Sequence, residues 1–364
     1  MIVKDIIDAL EELAPPAYAE DFDNTGLLVG AKESKVTGIL VTLDTLEKTV
    51  EEAIAKSCNL IVSFHPIIFS GIKKLTGKNY VERVILKAIK NDIAIYAIHT
   101  ALDNLPNGVS KGMADALQLK NREVLIPKKG IIKKLTTYVP KNEAIALRDA
   151  LFAAGAGKIG NYSNCSFVTK GKGTYKGNED SNPTVGERGQ LQQEKEVQLN
   201  ITFEDYKESQ ILNALFKAHS YEEVAYEVTT LDNKNQNVGM GMTGILPEPI
   251  DEMVFLRHVQ KAFHAKGVRH TELLDRPVKK IAVLGGSGSF AIDVAKAAGA
   301  DVFITADLKY HQFFQAEEQI LLVDIGHYES EQFTKNILTD YLTKKFTNFA
   351  VILSEEDTNP IKYL

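Results

Sequence analysis

Apolar residues along this chain fall into short runs of strand length, separated by stretches with helical spacing, and the rhythm changes twice. GILVTLD and NLIVSFHP each end in polar residues, and LEKTVEEAIAKSC between them repeats its apolar positions at helical intervals, which predicts a strand–helix–strand unit. YVERVILKAIKND continues as a helix, IAIYAIHTALDN as a buried strand running into a polar loop, and SKGMADALQL as a further helix. Such alternation predicts an α/β fold with a mostly parallel sheet covered on both faces. In the middle of the chain, IKKLTTYVP, NCSFVTKGKG, KEVQLNITF and EEVAYEVTTL read as strands, with KNEAIALRDALFAAGAG and DYKESQILNALFKAH as helices. Two strand–helix–strand halves in this stretch predict a ferredoxin-like sandwich with helices on one side. The polar segment 174–194 between them reads as a mobile loop.

After Pro247 the first rhythm returns. MVFLRHVQKAF is a helix, KKIAVLGGSG a strand ending in glycines and FAIDVAKAAG the helix after it. ADVFITAD and QILLVDIGH are strands, and ESEQFTKNILTDYLTKKF is one long amphipathic helix with Phe333, Ile337, Leu338, Tyr341 and Leu342 on one face. The economical arrangement is one α/β body in two halves, 1–129 and 247–364, interrupted by an inserted α+β domain over 130–246.

Composition narrows the function classes. At 44% hydrophobic and 25% charged residues, the chain resembles an ordinary globular protein. A net charge of −6 disfavours broad nucleic-acid affinity, which needs a concentrated basic surface, and Lys128, Lys129, Lys133 and Lys134 read as a solvated junction. No run approaches the roughly 20 apolar residues of a membrane span. The amphipathic, acidic first residues do not resemble a signal peptide, and Cys58 and Cys165 stand alone, so a cytoplasmic setting is expected.

In open α/β sheets, ligands collect beyond the carboxyl ends of the strands. The polar residues expected there include His65, His99, Asp103 and His327, and Glu331 follows His327 by four residues, which places both side chains on one helix face. Each has an ordinary reading as well: a loop histidine, an Asx-turn aspartate beside Asn104, a first-turn glutamate. Together, imidazole and carboxylate donors without thiolate suit a divalent zinc, iron or manganese ion. His99 and Glu329 are candidate catalytic proton carriers. GGSGSF at 285–290 reads either as a phosphate cradle or as a tight turn requiring glycine. Asp23 and Asn24 in DFDNTG read as a turn or a cavity edge, and Lys309, Tyr310 and His311 as substrate contacts or the start of a surface helix.

SFHPIIFSGIKKL, AIHTALDN, ITADLKYH and DIGHYESE, with EDFDNTGLLVG and GGSGSF, closely resemble the Nif-three-like family, also labelled GTP cyclohydrolase I type 2, in order and spacing over nearly the whole chain. The middle segment resembles the PII-like or CutA-like insert of the longer bacterial members. The resemblance implies a dinuclear metal centre with His65, Asp103, His327 and Glu331 as ligands. It also implies a hexameric toroidal homo-oligomer and a hydrolase acting on a nucleotide-like small molecule, or alternatively a non-enzymatic metal-binding assembly. One ligand departs from the pattern: Phe64 stands where the family motif has the first histidine of a pair, and a phenyl ring has no lone pair for a metal. One ion bound well and a second bound weakly, or through water, is therefore expected.

Overall fold

The computed structural model describes residues 1–364 and divides into two units, Met1–Ile126 with Asn237–Leu364, and Pro127–Gln236. The strand Lys234–Ile250 runs through the second of these boundaries without a turn. Residues 237–246, grouped by the sequence pattern with the middle segment, belong to the body, where Met242–Ile245 pair antiparallel with Lys280–Val283.

The body contains two sheets. In the first, Gly26–Val29, Ala94–Ala97, Leu60–Ser63, Ile39–Thr42 and Val351–Leu353 lie side by side in that order. All neighbours are parallel except the first pair. The second sheet runs Arg269–His270, Leu321–Asp324, Val302–Ala306, Val278–Ser287, Lys234–Ile250 and Lys120–Lys129. Its three central strands are parallel and antiparallel partners flank them. Both sheets are thus mixed, and the expectation of mostly parallel pairing holds at their centres. Hydrophobic patterning does not encode strand direction at an edge, because an antiparallel edge strand presents the same apolar run.

The strands that carry the site are buried on both faces, which explains their unbroken apolar runs. Leu60 and Val62 enter one core with Ile6, Leu10 and Tyr96, while Ile61 between them enters another with Val50, Ile85 and Ile95. Phe64 continues the first alternation and is fully buried in the same core as Leu60 and Val62. Complete burial of such a side chain contributes about 1.5–3 kcal/mol, so these strands hold their ends rigidly. Asn79 caps the helix Tyr80–Lys90 through the Glu82 N–H at 2.9 Å, and Lys87 and Lys90 lie in its last turn.

The long helix expected over 329–346 is two helices, His327–Glu331 and Thr334–Lys345. Between them the Gln332 side-chain amide donates to the Glu329 and Phe263 carbonyls at 2.9 and 2.7 Å, and Phe333 packs against Phe263. A side chain that occupies a helical carbonyl ends the regular ladder. The short first helix is thereby free to aim its own residues.

In the middle unit, four antiparallel strands lie in the order Phe167–Tyr175, Gln192–Glu204, Ile132–Pro140, Tyr226–Leu231. Val197, Leu199, Ile201 and Phe203 alternate toward one core with Leu147 and Leu151 of helix Ala144–Ala153 and Ile211 and Leu215 of helix Glu208–Ala218. The irregular loop spans 176–191, narrower than the polar composition suggested, because Thr174 and Tyr175 still pair with Gln193 and Gln192.

Candidate metal centre

Three side chains meet beyond the strand ends of the body. His65 lies two residues after the strand Leu60–Ser63, and His327 and Glu331 bound the helix His327–Glu331 that follows Leu321–Asp324. Glu331 Oε2 is 3.1 Å from His65 Nε2 and 3.1 Å from His327 Nε2, and the two nitrogens are 3.4 Å apart. Donors about 2.0–2.1 Å from one tetrahedral ion lie about 3.3–3.4 Å apart. The triangle already has the dimensions of a coordination face.

The far side of each ring is anchored. His65 Nδ1 lies 2.8 Å from Asp44 Oδ1, and His327 Nδ1 lies 2.6 Å from Asp307 Oδ2. An ionised carboxylate only accepts, so each Nδ1 carries the hydrogen and, in the neutral imidazole, the Nε2 lone pair points toward Glu331. Asp44 also accepts from the Thr358 hydroxyl at 2.6 Å, and Asp307 from the Ser287 hydroxyl at 2.5 Å. Asp44 and Asp307 were not singled out from the sequence. They close GILVTLD and ADVFITAD, so the rule that polar residues after strands deserve collection would have found them.

Charge is concentrated here. Glu331 is almost completely buried, yet its Oε2 makes no well-aligned hydrogen bond despite two nitrogens at contact distance. Both contacts are ion-pair distances without the alignment of a directed hydrogen bond. Burial alone would raise the Glu331 pKa, but His65 and His327 draw it down to about 2. Burial would lower both histidines. Glu331 with Asp44 instead raises His65 to about 10, and Asp307 with Glu331 raises His327 to about 11. A buried carboxylate oxygen with no aligned hydrogen bond and two imidazole nitrogens at contact distance is a donor set that fits a divalent ion.

A cavity of about 240 Å³ opens beside this group, with Phe22, Phe69 and Phe290 among its walls and His99, Asp103, His327 and Glu331 facing it. Asp103 stands apart from the His65–His327–Glu331 triangle. Its carboxylate is pushed well above the ordinary range, first by burial and then by the Glu331 charge. His99 Nδ1 lies 2.8 Å from Asp23 Oδ1, while Asp23 Oδ2 accepts from the Thr100 N–H at 3.1 Å and hydroxyl at 2.5 Å. Asp23 therefore belongs to the site, and Asn24 instead donates to the Ile68 carbonyl at 2.5 Å.

Glu329 does not face the cavity. Its carboxylate accepts from the Asn359 side-chain amide at 3.0 Å, which removes it from the candidate proton carriers. Lys309, Tyr310 and His311 also stay outside the cavity, and Tyr310–Phe313 is a short, solvent-exposed helix. In GGSGSF, the Gly286 N–H donates to Ser330 Oγ at 2.9 Å and is not free to cradle a phosphate. Gly286 adopts φ +67°, and a Cβ there would stand 2.4 Å from Glu331 Oε1. Glycine is required for the close approach of that carboxylate. A larger cavity of about 720 Å³ lies in the middle unit against Tyr138, Tyr175 and Tyr221.

The chain is a mixed α/β protein whose histidine and carboxylate side chains gather at the strand ends of its body, in a group that could hold a metal ion. Residues 1–360 match the family described as Duf34/NIF3 (NGG1p interacting factor 3). The chain belongs to that family. It is 40% identical to the GTP cyclohydrolase 1 type 2 homolog of Bacillus subtilis, over 99% of this chain and 98% of that protein. Among solved structures, a Bacillus cereus protein related to NIF3 is similar at TM-score 0.88 and 37% identity, covering 100% of this chain and 99% of that one. Staphylococcus aureus protein SA1388 is similar at TM-score 0.82 and 30% identity, with the same coverage.

Proposed function

We propose that this chain is a divalent-metal-dependent hydrolase of a nucleotide-like or heterocyclic small molecule. The observation that carries the reading is the 3.1, 3.1 and 3.4 Å triangle of His65 Nε2, His327 Nε2 and Glu331 Oε2 beside a cavity. Zinc, iron or manganese suits this nitrogen and oxygen donor set. Such an ion, when bound, supplies Lewis acidity and makes water nucleophilic near neutral pH.

The chain's own groups prepare for that chemistry. Asp44 and Asp307 fix the ring orientations of the two histidines through Nδ1, and Gly286 lets Glu331 approach without steric conflict. Phe22, Phe69 and Phe290 form an apolar wall against which a planar ring would stack, and the Ser110 and Ser287 side chains supply polar contacts. Relatives carry the name GTP cyclohydrolase 1 type 2 homolog, which makes GTP the first substrate to test. The assay is metal-dependent turnover of GTP and other nucleoside triphosphates by the parent and by His327→Ala. Turnover in the parent that is lost in the variant supports hydrolysis at this centre; equal turnover in both sinks it.

A second reading, a non-enzymatic metal-binding assembly, is favoured by Phe64, which fills the core where the resemblance calls for an imidazole. In either case we propose a cytoplasmic homohexamer whose PII-like middle units cap a toroid. A solution mass equal to one chain would exclude that assembly.

A further inference from the structure

The strand Phe167–Tyr175 of the middle unit carries glycine at alternate positions, Gly171 and Gly173. Its partner strand sends Val197 and Leu199 into the helix-covered core, so Glu196 and Gln198 point to the opposite face of the sheet. Gly171 pairs with Glu196, and Gln198 with both Thr169 and Tyr138, and residues directly opposite one another share a face. Gly173 lies on that face as well, whereas Lys170 and Lys172 belong to the other. Glycine inside a strand weakens it and marks a place where something must approach closely. Here the need is for space, since a Cβ at Gly171 would meet nothing within 4 Å, while one at Gly173 would collide with Glu196 Oε2. The first glycine leaves an open floor, and the second lets the Glu196 carboxylate lie across the strand.

These positions line the 720 Å³ cavity, whose residues all lie within the middle unit. Its volume is that of a small-molecule site, about 300–1,000 Å³. The Tyr175 and Tyr221 rings, 6.3 Å between centroids and 55° between planes, form adjacent walls, and Tyr138 contributes to a third. His219 ties two of these residues together: it packs on the Tyr221 ring at 5.0 Å, its Nδ1 accepts from the Tyr221 N–H at 3.1 Å, and its Nε2 donates to the Tyr138 carbonyl at 2.9 Å. The segment 181–184 completes the lining and is fastened in place. The Asn182 N–H donates to Glu222 Oε1 at 2.6 Å, the Thr184 hydroxyl to the Ser220 carbonyl at 3.0 Å, and the Tyr175 hydroxyl to the Val185 carbonyl at 2.7 Å.

We propose that this cavity binds a small organic cation, an amine carried on a planar ring, with Glu196 holding the ammonium group and the tyrosines holding the ring. The Tyr221 hydroxyl donates to Glu196 Oε1 at 2.8 Å, and no lysine or arginine pairs with this partly buried carboxylate. Burial and that hydrogen bond raise the Tyr221 pKa well above the ordinary tyrosine value, which keeps its hydroxyl a donor to Glu196. The sheet register directs the Lys170 and Lys172 side chains to the other face, and Lys176 is solvent-exposed beyond the strand end. A cation therefore meets a carboxylate without a counter-charge and the negative faces of aromatic rings, whereas an anion meets repulsion. Tyrosine walls also suit a flat apolar body, which stacks on them as the amine reaches the floor.

The chain contains no tryptophan, so the fluorescence anisotropy of an indole ligand reports that ligand alone. The full-length protein is titrated into tryptamine, indole-3-ethanol and indole-3-acetate, which share a ring and differ in charge. The expected result is saturable binding of tryptamine, at least about tenfold tighter than either of the other two. Glu196→Gln keeps the shape of the side chain and an oxygen acceptor for Tyr221 but removes the charge, and should bring tryptamine to the affinity of the alcohol. Gly171→Leu fills the open floor without a collision at Cβ and should abolish tryptamine binding, with circular dichroism verifying that both variants fold. Equal affinity for the three ligands, preference for the acid, or no saturable binding of tryptamine would overturn the proposal. So would tryptamine affinity unchanged in either folded variant. None of these outcomes bears on the metal-dependent reading, because no residue of this cavity belongs to the His65–His327–Glu331 group.

Discussion

Replacing Asp307 by alanine removes the support behind His327 without touching a proposed ligand. Asp307 Oδ2 accepts from His327 Nδ1 at 2.6 Å and from Ser287 Oγ at 2.5 Å, and the side chain is 44% exposed. Partial exposure means water replaces the lost acceptor, so thermal stability of the metal-free protein should fall by about 1 kcal/mol or less. The effect on metal is larger, since without the aspartate the His327 ring can rotate and its Nε2 becomes less basic. Loss of a carboxylate behind a ligating histidine lowers affinity by about 10–100-fold, or about 1.4–2.7 kcal/mol. Competition of Zn²⁺ between the protein and a chromophoric chelator at fixed pH measures this directly. A folded Asp307→Ala variant with affinity within about twofold of the parent would refute the claim that Asp307 orients His327 for a metal.

Gly286→Ala should weaken metal binding and lower stability by about 1–3 kcal/mol, because the new Cβ would meet Glu331 Oε1 at 2.4 Å on a backbone at φ +67°; a metal titration and a thermal melt identical to the parent's would count against it. Phe255→Ala should cost about 3–5 kcal/mol in urea unfolding, since the ring is fully buried in the core beneath the second sheet. Acid should remove a contribution from Glu52. Burial raises its pKa, but the Glu355 N–H, Lys56 and the Ser354 hydroxyl lower it below the ordinary carboxylate value. A depressed native pKa stabilises the fold above the unfolded value of about 4.3 and loses that contribution as pH falls through the native one. Melting curves of the parent and Glu52→Gln should therefore differ by about 1 kcal/mol or less at pH 7 and converge at lower pH; a gap that persists unchanged into acid contradicts the assignment.

By itself, the sequence determined the periodic features. Strand-length apolar runs ending in polar residues located Leu60–Ser63, Ala94–Ala97 and Leu321–Asp324, because burial on both faces leaves little choice but β-branched and aliphatic residues. The four-residue spacing of His327 and Glu331 is a local property of helix geometry, and it put those two side chains together before any tertiary contact was known. The change of rhythm in the middle segment likewise follows local patterning.

Only the tertiary structure decided which distant groups meet. His65 joins His327 across 262 residues, and Asp44, Asp307 and Asp23 stand behind three histidines from segments that no local spacing connects to them. Glu329 and Glu331 differ by two positions on one short helix, so they point in different directions, and the Asn359 amide decides that Glu329 turns away from the cavity. The helix break at Gln332 depends on a contact with Phe263 far away in the chain. Periodicity records which face is buried. It does not record what packs against that face, and a cluster of donors drawn from distant segments is defined by the second relation.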